Sequence, residues 1–247
     1  MHKWLRYFQH NKIHRIDIPW QSEIAPEPHL REALISSLQR FQVGETGEGR
    51  HLMKGARRTG DADYIEAMQL FINEEHEHAR LLAEILKRLH APLLDKHWSD
   101  GAFVVLRHLA GLRTELLMLL VAEMIAKCYY RTLRDGTSDA VLRTIFMQII
   151  HDEDGHVAFH CSFLRRSFRR WPKPARKALQ LLWRAVYRAA CIVVMFDHRA
   201  VLAACGLSAG TFWRDTGSIF DQDSASALGL PVTERRLAYT PSHEHKR

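Results

Sequence analysis

The 247-residue chain has few cysteines and none in a paired arrangement. Cys128, Cys161, Cys191 and Cys205 lie far apart with no C-x-x-C, which excludes a zinc knuckle and a dithiol redox pair and reads them as small buried hydrophobes. Runs of alternating apolar and polar residues are missing as well, so the chain is expected to be all-α. No unbroken apolar stretch reaches the roughly 18 to 20 residues of a membrane span; the longest candidate, Leu116 to Ile125, contains Glu123, and no span is expected. The start, MHKWLRYFQHNKIHRID, is basic and amphipathic but lacks the apolar stretch and cleavage site of a secretory signal, which makes a cytoplasmic location the expectation. A zinc-protease H-E-x-x-H is absent too: His76-Glu77 would need histidine at 80, where Arg80 stands.

What is present fits one large helical domain: 47% hydrophobic and 26% charged residues are ordinary for a globular chain. The net charge is +7, and Arg165, Arg166, Arg169, Arg170, Lys173, Arg176 and Lys177 form a basic cluster. Without interleaved aromatic or glycine-rich features, that cluster reads as a solvated helix end more readily than as a nucleic-acid surface. Apolar spacing at three and four residues predicts five helices: Leu30 to about Lys54, Tyr64 to about Leu89 capped by Asp61 or Asp63, Ala102 to before Asp135, Ser138 or Asp139 to about Arg170, and roughly Ala175 to Ala204. The predicted layout is an N-terminal extension (1–29), a helical bundle (30–205) whose fifth helix starts near 175, and an irregular C-terminal segment (206–247) with a disordered end.

Each of the first four helices carries acids in the middle of its apolar stripe. The repeat selects Glu45 and Glu48 on the first, Glu75 and His78 on the second, Glu123 but not Glu115 on the third, and Glu153, His156 and His160 on the fourth. Buried, unpaired carboxylates cost several kcal/mol each, and no Lys or Arg occupies those stripe positions. Bound cations are the simplest compensation, and carboxylate oxygen mixed with imidazole nitrogen suits iron or manganese.

E-x-x-H places an acid and an imidazole on one helix face, but the motif alone is weak; a third copy, Glu48-x-x-His51, occurs in the same chain. The duplicated spacing is stronger. From Glu45 to Glu75 is 75 − 45 = 30 residues and to His78 is 33; from Glu123 to Glu153 is 153 − 123 = 30 and to His156 is 33. A helix pair with a turn midway returns such residues to one level, whereas starting from Glu48 gives 27 and breaks the match.

These pieces, VGETGEG, NEEHEHA, VAEMIAKCYY and HDEDGHVAFH, resemble the ferritin-like di-iron carboxylate superfamily over about Leu30 to Arg170. The resemblance implies a four-helix bundle with an additional C-terminal helix, and Glu45, Glu75, His78, Glu123, Glu153 and His156 as metal ligands, with Glu75 and Glu153 bridging two iron ions; manganese or a mixed Mn/Fe pair fits the same set. It implies O2-dependent oxidoreductase chemistry on a small organic or acyl substrate, as hydroxylase, desaturase or related oxygenase, with electrons from a ferredoxin or reductase and a homodimer as the assembly. Ferroxidase or peroxidase-type iron handling, or a tRNA-modifying hydroxylase using the basic cluster, are the alternatives. Leu82 stands where the radical-generating ribonucleotide reductase subunit has its tyrosine, and Ile149 where aminobenzoate-type N-oxygenases have an extra histidine. Around the ligands, His160, Tyr130 and Asp152 are candidates for hydrogen bonds to them, against the plainer reading of packed core residues. Tyr129 reads as a core aromatic, His76 and His151 fall off the stripe, Asp154 flanks Glu153, and Asp197 with His198 forms a polar interruption in the fifth helix.

Overall fold

The computed structural model describes residues 1–45, 47, 49–94 and 111–232. The helices are α1 (His2–Ile13), α2 (Pro28–Glu45), α3 (Arg50–Arg57), α4 (Ala62–Arg88), α5 (Leu112–Gly136), α6 (Ala140–Phe168), α7 (Lys173–Asp197), α8 (Arg199–Ala204) and α9 (Ala209–Leu228). No strand occurs among the described residues. The architecture is a four-helix bundle of α2, α4, α5 and α6, with α1 laid along α4 and with α7 and α9 packed outside α5 and α6. Met68, Phe71 and Leu82 from α4 and Phe146 and Ile149 from α6 are fully buried in its single core.

Local chemistry sets the helix ends. Asp61 caps α4 by accepting from the Tyr64 N–H at 3.1 Å, and Asp139 caps α6 by accepting from Leu142 N–H at 2.8 Å. The first predicted helix is in fact two. α2 ends on Glu45, and α3 begins after Gly49, whose φ of +62° and a distance of 2.6 Å from an added Cβ to Ile72 both demand glycine. Glu48 and the predicted start of the third helix near Ala102 lie outside the described residues.

Three further differences have physical reasons. The N-terminal extension contains a helix because Leu5, Phe8 and Asn11 are buried against the bundle. The fifth helix stops at Asp197, where His198 leaves helical geometry and reaches Ser37 Oγ at 2.7 Å. The same Ser37 Oγ lies 2.5 Å from Tyr129 OH, so the Asp197–His198 interruption is a contact over the bundle. Beyond Gly206, where irregular chain is predicted, α9 runs for 20 residues between Ser208, which accepts from Thr211 N–H, and Gly229 at positive φ. Its Ser- and Asp-rich sequence is weakly helical, and burial of Phe212, Phe220 and Leu228 overrides that propensity.

The proline-rich entry to α2 fixes the level of the bundle helices. Glu27 accepts from the Ser138 N–H and hydroxyl, both at 2.7 Å, and from the Thr137 hydroxyl at 2.9 Å, tying the start of α2 to the α5–α6 turn. Burial alone would raise the Glu27 carboxyl, but these donors outweigh it and hold it at about 2. A carboxylate depressed below its unfolded value contributes stability that is present above the unfolded pKa and is lost as pH falls through the folded one. Glu27→Gln is therefore expected to cost about 2 kcal/mol in urea unfolding at neutral pH. The difference from the parent chain should shrink on acidification toward about 2; a difference that stays constant with pH would assign the effect to shape instead of charge.

Candidate metal centre

Glu75 and His78 lie one turn apart on α4, as do Glu153 and His156 on α6, and the two helices bring all four together. One ligand atom from each lies within 4.8 Å of the others. Glu75 Oε1 is 3.0 Å from His156 Nδ1 and 3.7 Å from His78 Nδ1; Glu153 reaches the two Nδ1 atoms at 3.8 and 3.7 Å. These contacts lack hydrogen-bond alignment: Glu75 Oε1, Glu153 Oε2 and both Nδ1 atoms are buried without a hydrogen bond. Such atoms each forfeit water with nothing in exchange, at about 1–3 kcal/mol apiece. A cation among them would satisfy all four at once, so the donor set fits a metal.

The opposite nitrogens of both rings are held from behind, and the two motifs serve each other. His78 Nε2 lies 3.0 Å from Asp152 Oδ2, the residue before Glu153, while His156 Nε2 lies 2.9 Å from Glu74 Oε2, the residue before Glu75. A ring nitrogen that donates to a carboxylate keeps its proton, so the proton a metal would displace is the one on Nδ1, which faces the centre. α1 and the chain just after it complete the arrangement. Arg15 donates to both Asp152 oxygens at 2.8 and 2.7 Å, and Asn11 donates to Glu74 at 2.7 Å and to Asp152 at 2.8 Å. Gln148 adds a fourth partner for Asp152 at 2.9 Å.

Glu45 and Glu123 sit beside this cluster from α2 and α5. Glu45 is half-buried and accepts from the Tyr130 hydroxyl at 3.1 Å. Glu123 is buried, neither of its oxygens makes a hydrogen bond, and Oε1 lies 3.5 Å from His160 Nε2. The other flanking residues go elsewhere: Asp154 pairs with Lys127 at 2.8 Å, His151 is exposed, and the exposed ring of His76 donates to the Gly47 carbonyl at 3.1 Å. Glu115, off the predicted stripe, is buried near Tyr64 and away from the cluster.

The charges show how much compensation the site needs. Burial, then the Glu75 charge, pushes Glu45 well above the ordinary carboxylate range, and burial, then Glu153, does the same to Glu123. Burial also raises Glu153. Glu75 alone of the four is lowered, because the imidazole of His156 outweighs its burial. Burial opposes charging His78, but Asp152 overcomes it and lifts the ring to about 9. Asp152 itself resists burial through His78 and Arg15 and stays far below the usual range.

Glu74, Asn11 and Arg15, which support the two imidazoles from behind, fall outside the predicted stripes. Glu74 has a sequence signal all the same: it precedes Glu75 as Asp152 precedes Glu153, and 152 − 74 = 78 equals 153 − 75, the interval between the two motifs. Asn11 and Arg15 have none, since their role depends on where α1 packs.

No protein-family model matches the sequence, and no curated protein resembles it at a significant level. Among solved structures, the chain is similar to the dimanganese(II)-NrdF of Streptococcus sanguinis, with a TM-score of 0.67 at 12% identity, covering 94% of this chain and 88% of that one. It is also similar to a Synechococcus protein described as having aldehyde deformylating oxidase activity, with a TM-score of 0.60 at 19% identity, covering 83% and 94% of the two chains. At these identities the likeness is one of architecture, the ferritin-like helical bundle.

The titrations give a signed expectation. A carboxylate raised in the fold, such as Glu123, and an imidazole raised from 6.5 to about 9, such as His78, both make folding more favourable at the protonated end. Metal-free protein is therefore expected to lose stability as pH rises from 6.5 to about 9, the window in which the His78 contribution disappears. Protein loaded with iron or manganese should not follow that curve, and a metal-free chain whose unfolding midpoint is flat across the window would contradict this account. Arg15→Ala, which leaves Asp152 and Glu74 without their guanidinium, is expected to cost about 3 kcal/mol and to weaken metal binding about tenfold or more, measured by denaturation and by chelator competition.

Proposed function

We propose that the protein is an O2-dependent non-haem di-iron oxidoreductase, a hydroxylase, desaturase or related oxygenase, acting on a small organic or acyl substrate. The reading is carried by the cluster of four buried, inward-facing donors with two further carboxylates beside it. Glu45, Glu75, His78, Glu123, Glu153 and His156 would hold two metal ions. When bound, such a pair supplies electrons to O2 and oxidising power toward a substrate.

The protein's own contribution is to position and to insulate. Asp152 and Glu74 fix both imidazoles in the tautomer that leaves Nδ1 for the metal. Tyr130, with burial and the charge of Glu45 holding its hydroxyl well above the usual range, keeps its proton and donates it as a hydrogen bond to Glu45. A neutral donor there can steady the carboxylate without adding charge. Phe71 packs edge-on against both His156 and His160, with ring centroids at 4.6 Å, and keeps water from that side.

The similarity to a protein with aldehyde deformylating oxidase activity supports an acyl-type substrate. The similarity to a dimanganese(II) protein favours manganese as a second occupant of the same donors. Leu82, fully buried one turn beyond His78, supplies no phenol for a tyrosyl radical at that place.

Protein from iron-supplemented cells should contain about two metal ions per chain, with a Mössbauer or electron paramagnetic resonance signature of a coupled pair and O2 uptake on addition of a reductant. Glu153→Ala should remove the coupled pair. Less than about one ion per chain and no coupled signal would end this proposal. Rapid aerobic oxidation of added Fe(II) with no dependence on an organic substrate would instead assign the site to iron handling.

A further inference from the structure

The outer face of α7 is apolar and open. Leu181, Leu182, Ala189, Ile192, Val193 and Phe196 are all exposed, Leu181 to 68% and Leu182 and Phe196 to 66% each. At about 100° per residue they fall within one arc of about 120°, opposite the buried Trp183, Tyr187 and Cys191. Among the described residues nothing covers this stripe. By length and composition α7 is apolar enough to cross a membrane, a property that its lysines and arginines hide from a search for unbroken apolar runs, yet little of it is buried in the fold.

Charge indicates what the face meets. From Gly155 to Phe196 the chain contains no Asp or Glu but nine Lys or Arg. Arg165, Arg166, Arg169, Arg170, Lys173 and Lys177 are exposed at the N-terminal end of α7, and Lys177, Arg184 and Arg188 follow one border of the stripe. Aromatic rings flank it: Trp171 is partly exposed before the helix, and Trp213 of α9 lies 4.0 Å under the Arg188 guanidinium.

We propose that this face is a docking surface for an anionic phospholipid bilayer, with α7 lying in the plane of the interface. Apolar burial and basic attraction together are what hold an amphipathic helix there, with Trp and Phe at the boundary. α7 does not cross the bilayer, because α9 is fastened alongside it by Arg184–Asp221 and by Arg188 donating to the Trp213 carbonyl at 2.8 Å. A crossing would carry Arg214, Asp215 and Asp221 of α9 into hydrocarbon.

A second copy of the chain is a poorer occupant. Two-fold pairing matches the same patch with itself. Antiparallel helices would set the Lys177–Arg184–Arg188 border against its own copy, and parallel ones would set the Arg165–Lys177 clusters side by side. Both arrangements oppose like charges, and on that border Arg184 alone has a carboxylate partner, Asp221, among the described residues. A nucleic acid would meet the basic cluster but leave the leucines and Phe196 in water.

The test is co-sedimentation of the full-length, metal-loaded protein with vesicles of equimolar phosphatidylcholine and phosphatidylglycerol, and with phosphatidylcholine alone. We expect salt-sensitive binding to the anionic vesicles only. The combined variant Leu181→Ser, Leu182→Ser and Phe196→Ser should lower partition at least about tenfold while metal content and unfolding midpoint stay unchanged. A second variant, Arg166→Gln with Arg169→Gln and Arg170→Gln, should lower it as well, which keeps the test independent of the first variant's folding. Equal binding to phosphatidylcholine alone would overturn the anionic surface. Absence of vesicle binding would overturn the whole proposal, in favour of a second copy if the apolar variant abolishes concentration-dependent association, or of RNA if both the parent and the apolar variant retain salt-sensitive tRNA binding.

Discussion

Everything at the centre of this bundle follows from the difficulty of keeping carboxylates away from water. Each buried ion carries an effective penalty of several kcal/mol, and a domain has only about 5–15 kcal/mol of net stability to lose. Glu45, Glu75, Glu123 and Glu153 therefore cannot all stay ionised unaided, and three of them are pushed toward the neutral acid. Compensation arrives from two sides. Inside, unbonded carboxylate oxygens and imidazole Nδ1 atoms converge on a common space suited to cations. Outside, Arg15 supplies positive charge and Asn11 donates hydrogen bonds to the two carboxylates behind the rings. The N-terminal helix is thus part of the centre's electrostatics.

The same division explains what is legible in the sequence. Glu75 with His78 and Glu153 with His156 can be read because each pair obeys a helical interval, and the intervals repeat at 78 residues. Those constraints are local and periodic, and burial must respect them. The position of Asn11 and Arg15 obeys no such interval, since it depends on how α1 docks on α4. The break after Glu45 is signalled by glycines, but a helical stripe continues through them and conceals it; only the approach to Ile72 makes Gly49 a requirement. α9 escapes notice because its polar sequence hides the few aromatic and aliphatic residues that anchor it.

α7 shows a different ambiguity. Its sequence is apolar over most of its circumference, and periodicity cannot say which arc meets protein. Trp183, Tyr187 and Cys191 face inward, and the leucines and Phe196, equally good core residues by type, face out. Packing density in a core is already near that of a crystal, so once α5 and α9 are satisfied by one arc there is no interior left for the other. The basic residues lie beside the open arc and at its N-terminal end, so charge as well as packing distinguishes the two faces.

The crossed supports behind the imidazoles bear on how the protein is assembled. His78 depends on an acid from the second motif and His156 on one from the first. Neither half of the chain therefore contains a finished binding site, however well its own helices form. A nascent chain that has emerged only through α4 has a glutamate–histidine pair with an unanchored ring, and it should compete poorly for scarce metal until α6 has been made and docked. On the proposed di-iron reading, loading would be deferred to a complete bundle, which would spare the unfinished polypeptide from redox-active iron while it is still open to solvent.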